Sequence, residues 1–233
     1  MNASASSNPG DLFNTKSDYA YIKVREAILN GELKPGSILN QATLARTIGI
    51  STTPLREALR RLKGEGLVHL DAHRDAHVAD LTAEEARDML DVRRSLDPLG
   101  AALAAERRTK ADIAEIRASH VGLEPLPVNA TISHLVAHRR FHAAIYYASH
   151  NDLLIKSLDE LWDKADRYRL LALQDDRGDA AREQKRVEHR QLMETVIAGD
   201  ADGAFNVMLK HIETSLGVTA AWRLRKPNPT SIP

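Results

Sequence analysis

The sequence predicts a mainly α-helical chain with two domains, on three observations. Apolar residues recur with the helical period of about 3.6 residues over most of the chain. Strand character is confined to residues 67–70 and a return segment around 77–79, directly after three short helices. From Thr82 onward the helical segments become long. We therefore expect a helix-turn-helix domain over 16–80 and an all-α helical bundle over 81–222.

Length and composition agree with two folded domains. The chain has 233 residues, and a typical domain has about 150. Hydrophobic residues make up 43% and charged residues 27%, which is an ordinary balance for a chain that folds. The terminal stretches 1–15 and 223–233 are rich in polar residues, Gly and Pro, so we expect a disordered N-terminal tail and a flexible C-terminal tail.

Several classes of protein are excluded by what the sequence lacks. No apolar run approaches the 18 or so residues of a spanning helix, and the polar N-terminal stretch has no signal-peptide pattern. We expect a cytoplasmic protein with no membrane partner. The absence of cysteine excludes disulfides, thiolate metal sites and cysteine nucleophiles. Lys and Arg number 32 and Asp and Glu 32, so any nucleic-acid binding must rest on a local cluster of charge.

The first domain carries the spacing of a helix-turn-helix. A helix over 16–30, with Ile28 and Leu29 on its apolar face, is followed by a second helix after Asn40. That second helix stops at Gly49, and Ser51 is placed to cap a third helix two residues later.

The third helix has one apolar and one polar face. Its leucines recur at helical spacing and are expected to face inward, whereas four residues in or near its N-terminal half face outward: Thr52, Thr53, Arg56 and Arg60. Arginine binds guanine edges or phosphates, and Arg61 and Lys63 add further charge. A solvated helix face is the alternative interpretation.

The run ILNGELKPGSILNQATLARTIGISTTPLREALRRLKGEGLV, residues 28–68, closely resembles the N-terminal module of the GntR family of regulators. The resemblance implies a winged helix-turn-helix that binds double-stranded operator DNA as a homodimer, with Thr53 and Arg56 as DNA contacts. Thr52 and Arg60 are added from their facing alone. Family members commonly have Arg where this chain has Thr52, often another where it has Ala42, and Gly at a wing tip that here is residues 73–77, without one.

The second domain is predicted to contain six helices. Thr82 and Glu85 have the spacing of a capping box at the start of the first. The predicted helices cover 83–107, 110–119, 130–149, 152–173, 179–198 and 201–221.

Four histidines fall on the apolar stripes of three of these helices. His138 and His142 lie four residues apart on one helix, and His189 and His211 lie on two later ones. Any one of them is more simply a core histidine with a hydrogen-bond partner. Four imidazoles in one bundle are costly to bury unless something organises them, and a divalent cation does so.

The second domain also resembles the FCD effector domain of the FadR-like branch of the GntR family. The matching segments are the stretch around 93–97, HRRFHAAIYYASHN at 138–151, EHRQLMETVIAGDADGAF at 188–205 and MLKHI at 208–212. The resemblance implies a metal held by a carboxylate and three histidines. Here His138 occupies the carboxylate position, and an all-imidazole set favours Zn or Ni over Mg or Ca.

The resemblance further implies that a small organic acid binds beside the metal as effector. Arg93 is the candidate partner for that acid, because it lies between Met89 and Leu96 on the apolar side of its helix. An internal salt bridge is an equally good interpretation of Arg93. The expected protein is a DNA-binding transcription regulator and no enzyme, with repression relieved by the acid. A metal-responsive regulator without organic effector, or less favourably a histidine-ligated hydrolase, are the alternatives.

Overall fold

The protein is described by a computed structural model that covers residues 15–71, 76–174 and 178–225. It divides between Asp80 and Leu81 into two compact units. Residues 1–14 and 226–233 of the predicted tails 1–15 and 223–233 lie outside the described residues, as do the wing positions His73, Arg74 and Asp75. The mainly α-helical class is confirmed, since the first unit holds three helices and a small sheet and the second holds helices α4 to α10 within the described ranges.

The first unit consists of α1 (Lys16–Leu29), β1 (Ile38–Leu39), α2 (Gln41–Ile48), α3 (Thr52–Gly64), β2 (Val68–Leu70) and β3 (Ala76–Val78). The strands form an antiparallel sheet in the order β1-β3-β2, with Leu39 opposite Ala76 and Val68 opposite Val78. Strand β1 was not predicted, because a two-residue strand is too short to show the alternation that marks one.

Helices α2 and α3 form the helix-turn-helix. Gly49 ends α2 with a φ of 75°, a left-handed conformation that glycine adopts without a steric cost. Ser51 takes the N-cap position of α3 as predicted, but its side chain makes no capping hydrogen bond. Leu55, Leu59 and Leu62 of α3 are fully buried against α1 and the sheet. The opposite face of α3 is therefore directed away from the core.

The second unit consists of α4 (Ala83–Arg107), α5 (Lys110–His120), α6 (Ile132–Tyr147), α7 (Asp152–Ala172), α8 (Gly178–Ala198), α9 (Ala201–Glu213) and α10 (Leu216–Arg225). Its main core joins apolar residues of α4, α5, α6, α8 and α9, among them Ala104, Ile116, Phe141, Leu192 and Met208. No helix in the described ranges is both long and apolar enough to cross a bilayer.

The predicted helix 201–221 is wrong as a single element, because the chain breaks into α9 and α10 at Thr214 and Ser215. The Thr214 hydroxyl donates to the carbonyl of Lys210, and such side-chain bonds compete with a continuing helix. Helix α10 then runs on through residues 223–225, which we expected to be part of the flexible tail. Arg223 Nη1 donates to the carbonyl of Leu171 there, and Leu224 packs on the adjacent core.

The start of α4 is fixed by α7. Thr82 accepts from the Glu85 amide as predicted, but the box is incomplete because the Glu85 carboxylate instead accepts from the Tyr168 hydroxyl at 2.6 Å. The same hydroxyl accepts from the Thr82 amide at 3.2 Å. On the other side of the boundary the Ala79 amide donates to the carbonyl of Leu67, so the chain is held closely on both sides of Asp80.

Candidate functional site

The four predicted histidines converge at the centre of the second unit. His138 and His142 come from α6, one turn apart, His189 comes from α8, and His211 comes from α9. Their side chains are between 1% and 7% exposed. One ring nitrogen from each lies within 4.8 Å of the others, so the structure brings all four together.

Helical spacing and packing explain this convergence. Residues four apart on a helix share a face, so Phe141 and Ile145, on the buried side of α6, hold His138 and His142 toward α8 and α9. Trp162 of α7 closes one side of the cluster, with ring centroids 6.0 Å from His138 and 5.2 Å from His142.

Burial makes these imidazoles neutral. It lowers the pKa of His138, His142 and His189 well below the usual 6.5, because water no longer solvates the charged form, and the neighbouring positive groups lower it further. Burial also lowers the pKa of His211, to about 4, against the raising effect of the nearby Glu188. Neutral imidazole is the form that binds a metal ion.

The geometry of the ring nitrogens fits a metal ion. His142 Nε2 and His189 Nε2 are 3.3 Å apart. Metal–nitrogen bonds of about 2.0–2.1 Å in a tetrahedral arrangement separate two ligand nitrogens by about that distance. The Nδ1 atoms of His138 and His142 are buried and have no hydrogen-bond partner among the residues that the structure describes. An unsatisfied buried nitrogen is costly, and a metal ion bound to His142 Nε2 would not reach Nδ1 on the far side of the same ring.

Glu188 orients one of the four histidines. Its Oε2 atom lies 2.9 Å from His211 Nδ1, so the other ring nitrogen of His211 faces the cluster. Burial by itself raises the pKa of Glu188, but hydrogen bonds from His211, Lys185 and Gln184 outweigh it and lower the pKa to about 2. A carboxylate behind a metal-binding histidine fixes its tautomer and orientation. Glu188 was not among the predicted site residues, although it directly precedes His189 in the EHR segment.

Two buried arginines flank Trp162. Arg93, the predicted effector partner, donates from Nε and Nη2 to the two carboxylate oxygens of Asp97 at 3.0 and 2.9 Å, so it makes the internal salt bridge that was its alternative interpretation. Arg169 of α7 lies 3.6 Å over the Trp162 ring and donates to Asp166 at 3.3 Å. Arg169 was not among the predicted site residues, although it too falls on the buried face of its helix.

A cavity open to solvent lies directly beside the histidines, and its empty volume of about 670 Å³ includes the open part. Three of the four line it, together with Arg169, and His142 is not among its lining residues. Arg93 instead lines a smaller neighbouring cavity of about 300 Å³. The arrangement offers neutral metal ligands and a buried cation at one end of a space large enough for a small molecule.

The outward face of α3 is the second site that the sequence predicted. Thr53, Arg56 and Arg60 are exposed and Thr52 is half-buried. Arg56 Nε donates to Gln41 Oε1 of α2 at 3.0 Å, a partner that was not predicted. This hydrogen bond links the guanidinium to the first residue of α2.

Arg61 does not belong to this basic face. Its guanidinium is 2.6 Å from Asp18 and lies 4.0 Å over the ring of Tyr21, so it ties α3 to α1. The expectation that Arg61 adds to the outward charge is therefore wrong. Its position one residue after Arg60 turns its side chain by about 100° around the helix.

Two family models match the chain. Residues 16–78 match the family described as "Bacterial regulatory proteins, gntR family", and residues 88–214 match the FCD domain. The matched segments include α3 and all four histidines.

Curated relatives match over most of the chain. The uncharacterized HTH-type transcriptional regulator YdhC of Bacillus subtilis (strain 168) is 27% identical over 199 residues, 82% of this chain and 85% of the relative. The HTH-type transcriptional repressor GlaR of Escherichia coli (strain K12) is 26% identical over 204 residues, 85% of this chain and 93% of the relative.

Solved structures show the same fold. Escherichia coli McbR/YncC aligns with a TM-score of 0.73 at 22% identity, over 89% of this chain and 98% of the other. A putative transcriptional regulator GntR from Rhodococcus sp. RHA1 aligns with a TM-score of 0.66 at 17% identity, over 88% and 97%.

Proposed function

Since the chain belongs to the GntR family and is a DNA-binding transcription regulator with an FCD domain, we propose that it is an operator-binding repressor that a small carboxylic acid releases. The acid binds in the helical unit beside a divalent metal. The observation that carries this proposal is the cluster of four neutral, converging histidines at the end of a cavity that also contains a buried arginine.

The DNA contacts proposed are Arg56 and Thr53, with Thr52 and Arg60 beside them. Their support is the outward face of α3, where an arginine at the N-terminal half of a recognition helix can reach a base edge in the major groove. In a homodimer, two such helices enter successive grooves, and the geometry of the dimer sets the spacing of the half-sites.

The metal proposed is Zn or Ni, held by His138, His142, His189 and His211. An all-imidazole donor set without a carboxylate suits these ions better than Mg or Ca. When bound, the ion supplies a positive charge that an acid's carboxylate can meet. The chain's own contribution is to hold four imidazoles neutral and to orient His211 through Glu188.

The acid acts only if it binds the two states of the regulator with different affinity, because equal binding shifts no equilibrium. The family relative GlaR is named a repressor, which supports repression as the default action. The four histidines are also enough to satisfy a metal by themselves, so metal-controlled binding without an organic acid is the second candidate. The hydrolase alternative has no support, since the family and these relatives are regulators.

The test is to select DNA from a random pool with the full-length protein and then measure the affinity for the selected operator. Arg56→Ala should weaken binding by about tenfold or more, because a bidentate arginine–guanine contact contributes about 1–3 kcal/mol. Arg117→Ala removes an exposed arginine from the second unit and is the matched control. Failure to enrich any DNA would overturn the proposal.

Titration of organic acids and of a chelator against the operator complex then separates the two candidates. Release by an acid only while metal is present supports the acid-responsive repressor. Release by the chelator alone, with no acid having an effect, supports the metal-responsive regulator instead.

A further inference from the structure

The 670 Å³ cavity beside the histidines has one polar end and one apolar wall. The polar end is formed by His138, His189, His211 and Arg169. An apolar wall is formed by Pro125, Leu126 and Val128 from the segment between α5 and α6 and by Leu173 after α7, and Ser215 also lines the cavity. A ligand that fills this space must match both ends.

Arg169 is the cation at the polar end whose charge is incompletely balanced. It is 6% exposed, and within the part of the chain that the structure describes its hydrogen bond is a single one of 3.3 Å to Asp166. Arg93, across Trp162, already uses two donors on both oxygens of Asp97. A guanidinium has five N–H donors, so Arg169 keeps donors for a further acceptor. Burial and the repulsion of Arg93 lower the pKa of Arg169 to about 9, and an added anion offsets both effects.

Among the residues that the structure describes, two other cations line the cavity, and neither makes a second anion site. Lys185 Nζ already donates to Glu188 at 2.7 Å, to the Thr214 hydroxyl at 2.6 Å and to the carbonyl of His211 at 3.1 Å. These three bonds use all three donors of an ammonium group. Arg182 binds Asp179, whose side chain is 98% exposed, so that pair lies in solvent at the rim.

The apolar wall disfavours a second charge in the ligand. Pro125, Leu126 and Val128 offer no side-chain donor, and Leu173 beside them is 4% exposed. A second carboxylate placed against this wall would lose its hydration without gaining a partner. An aliphatic group placed against the wall in place of that carboxylate would instead bury apolar surface.

We propose that this cavity binds a monocarboxylate with an apolar aliphatic body, its carboxylate on Arg169 beside the histidines and its body against Leu126 and Val128. The inference rests on the proposed function, because it assigns the chemical class of the acid effector. It replaces Arg93 by Arg169 as the residue that contacts the anion.

The test is titration calorimetry of the full-length protein loaded with Zn²⁺. Butanoate, succinate and butanol each have a chain of four carbons in total and differ in having one, two or no carboxylates. We expect butanoate to bind at least about tenfold more tightly than either of the others, since a charge-assisted hydrogen bond or an unpaired buried charge each changes affinity by about that factor. Equal or tighter binding of succinate would overturn the proposal, and so would absence of butanoate binding.

Two variants locate the ligand. Arg169→Gln should weaken butanoate by about tenfold or more. Val128→Asp places a carboxylate on the apolar wall and should weaken it similarly, even if the arginine variant fails to fold. Val121→Asp makes the same substitution in the same inter-helix segment, at a residue 82% exposed, and is the matched control. Unchanged affinity in Val128→Asp, or an equal loss in Val121→Asp, would refute the assignment.

Operator binding measured on the same samples separates this inference from the proposed function. If the protein selects DNA but binds no butanoate, the proposed regulator function stands and the monocarboxylate ligand class is refuted. If the protein binds butanoate as predicted but enriches no DNA, the proposed regulator function is refuted and the ligand assigned to the cavity stands.

Discussion

Acidification should destabilise the metal-free protein through its four buried histidines. In the unfolded chain an imidazole takes up a proton with a pKa of about 6.5. In the native state burial lowers the pKa of His211 to about 4 and that of the other three well below 6.5. Between these values the unfolded chain binds more protons than the native one. The contribution of the neutral histidines to the free energy of unfolding is therefore fully present above about pH 6.5 and is lost as the pH falls below that value.

The magnitude follows from the number of histidines. A pH difference of one unit below the unfolded pKa changes the free energy of unfolding by about 1.4 kcal/mol for each such group. Between about pH 7.5 and 5.5 one buried histidine loses about 1.3 kcal/mol, and the four together lose about 5 kcal/mol. That is comparable to the whole stability of many domains, about 5–15 kcal/mol.

The assay is urea unfolding of chelator-treated protein at about pH 7.5 and 5.5, followed by circular dichroism. His142→Phe should reduce the loss on acidification by about 1.3 kcal/mol, because it removes one of the four groups. His134→Gln changes an exposed histidine and should leave the loss as it was. A stability that falls by less than about 1.3 kcal/mol over this range would refute the neutral, buried state of the cluster.

Two further predictions concern charged groups around the site. Glu188→Gln should weaken the affinity for Zn²⁺ by about 10–100-fold, measured by competition with a chelating dye, because the carboxylate that orients His211 is lost. Glu183→Gln changes an exposed position on the same helix and should leave the affinity for Zn²⁺ within about twofold. A loss in Glu183→Gln as large as that in Glu188→Gln would contradict the orienting role of Glu188. Asp97→Ala should lower the free energy of unfolding by about 3–5 kcal/mol, because it leaves Arg93 buried without its carboxylate. Arg94→Ala breaks only an exposed pair and should cost less than about 1 kcal/mol in the same denaturant titration, so equal losses would argue against the buried bridge.

The sequence predicts the helix-turn-helix because its signals are local. Gly49 can take the left-handed conformation that ends a helix, and the leucines of α3 recur at helical spacing. The break between α9 and α10 escaped prediction, since Thr214 and Ser215 are tolerated inside helices as well as at their ends. A two-residue strand such as β1 depends on its pairing with β3 and leaves no pattern of its own.

The candidate metal centre was predictable at the level of residues. Each of the four histidines lies on the apolar stripe of its helix, and periodicity alone places it in the core. The roles of the two arginines were not predictable in this way. Arg93 and Arg169 both fall on buried faces, and each has an aspartate within one turn. Only the meeting of α8, α9 and the segment before α6 decides that Arg169 faces the larger cavity.

The backbone is anchored closely on both sides of the boundary between the two units. Ala79 is buried in the first unit and hydrogen-bonded to Leu67, whereas Leu81 packs on a core of the second and Thr82 is held by the Tyr168 hydroxyl. Asp80 is the exposed residue between them, with two soft backbone torsions. Each flank of Asp80 is therefore anchored within its own unit, and the backbone torsions of Asp80 are the freedom left between the two anchored segments.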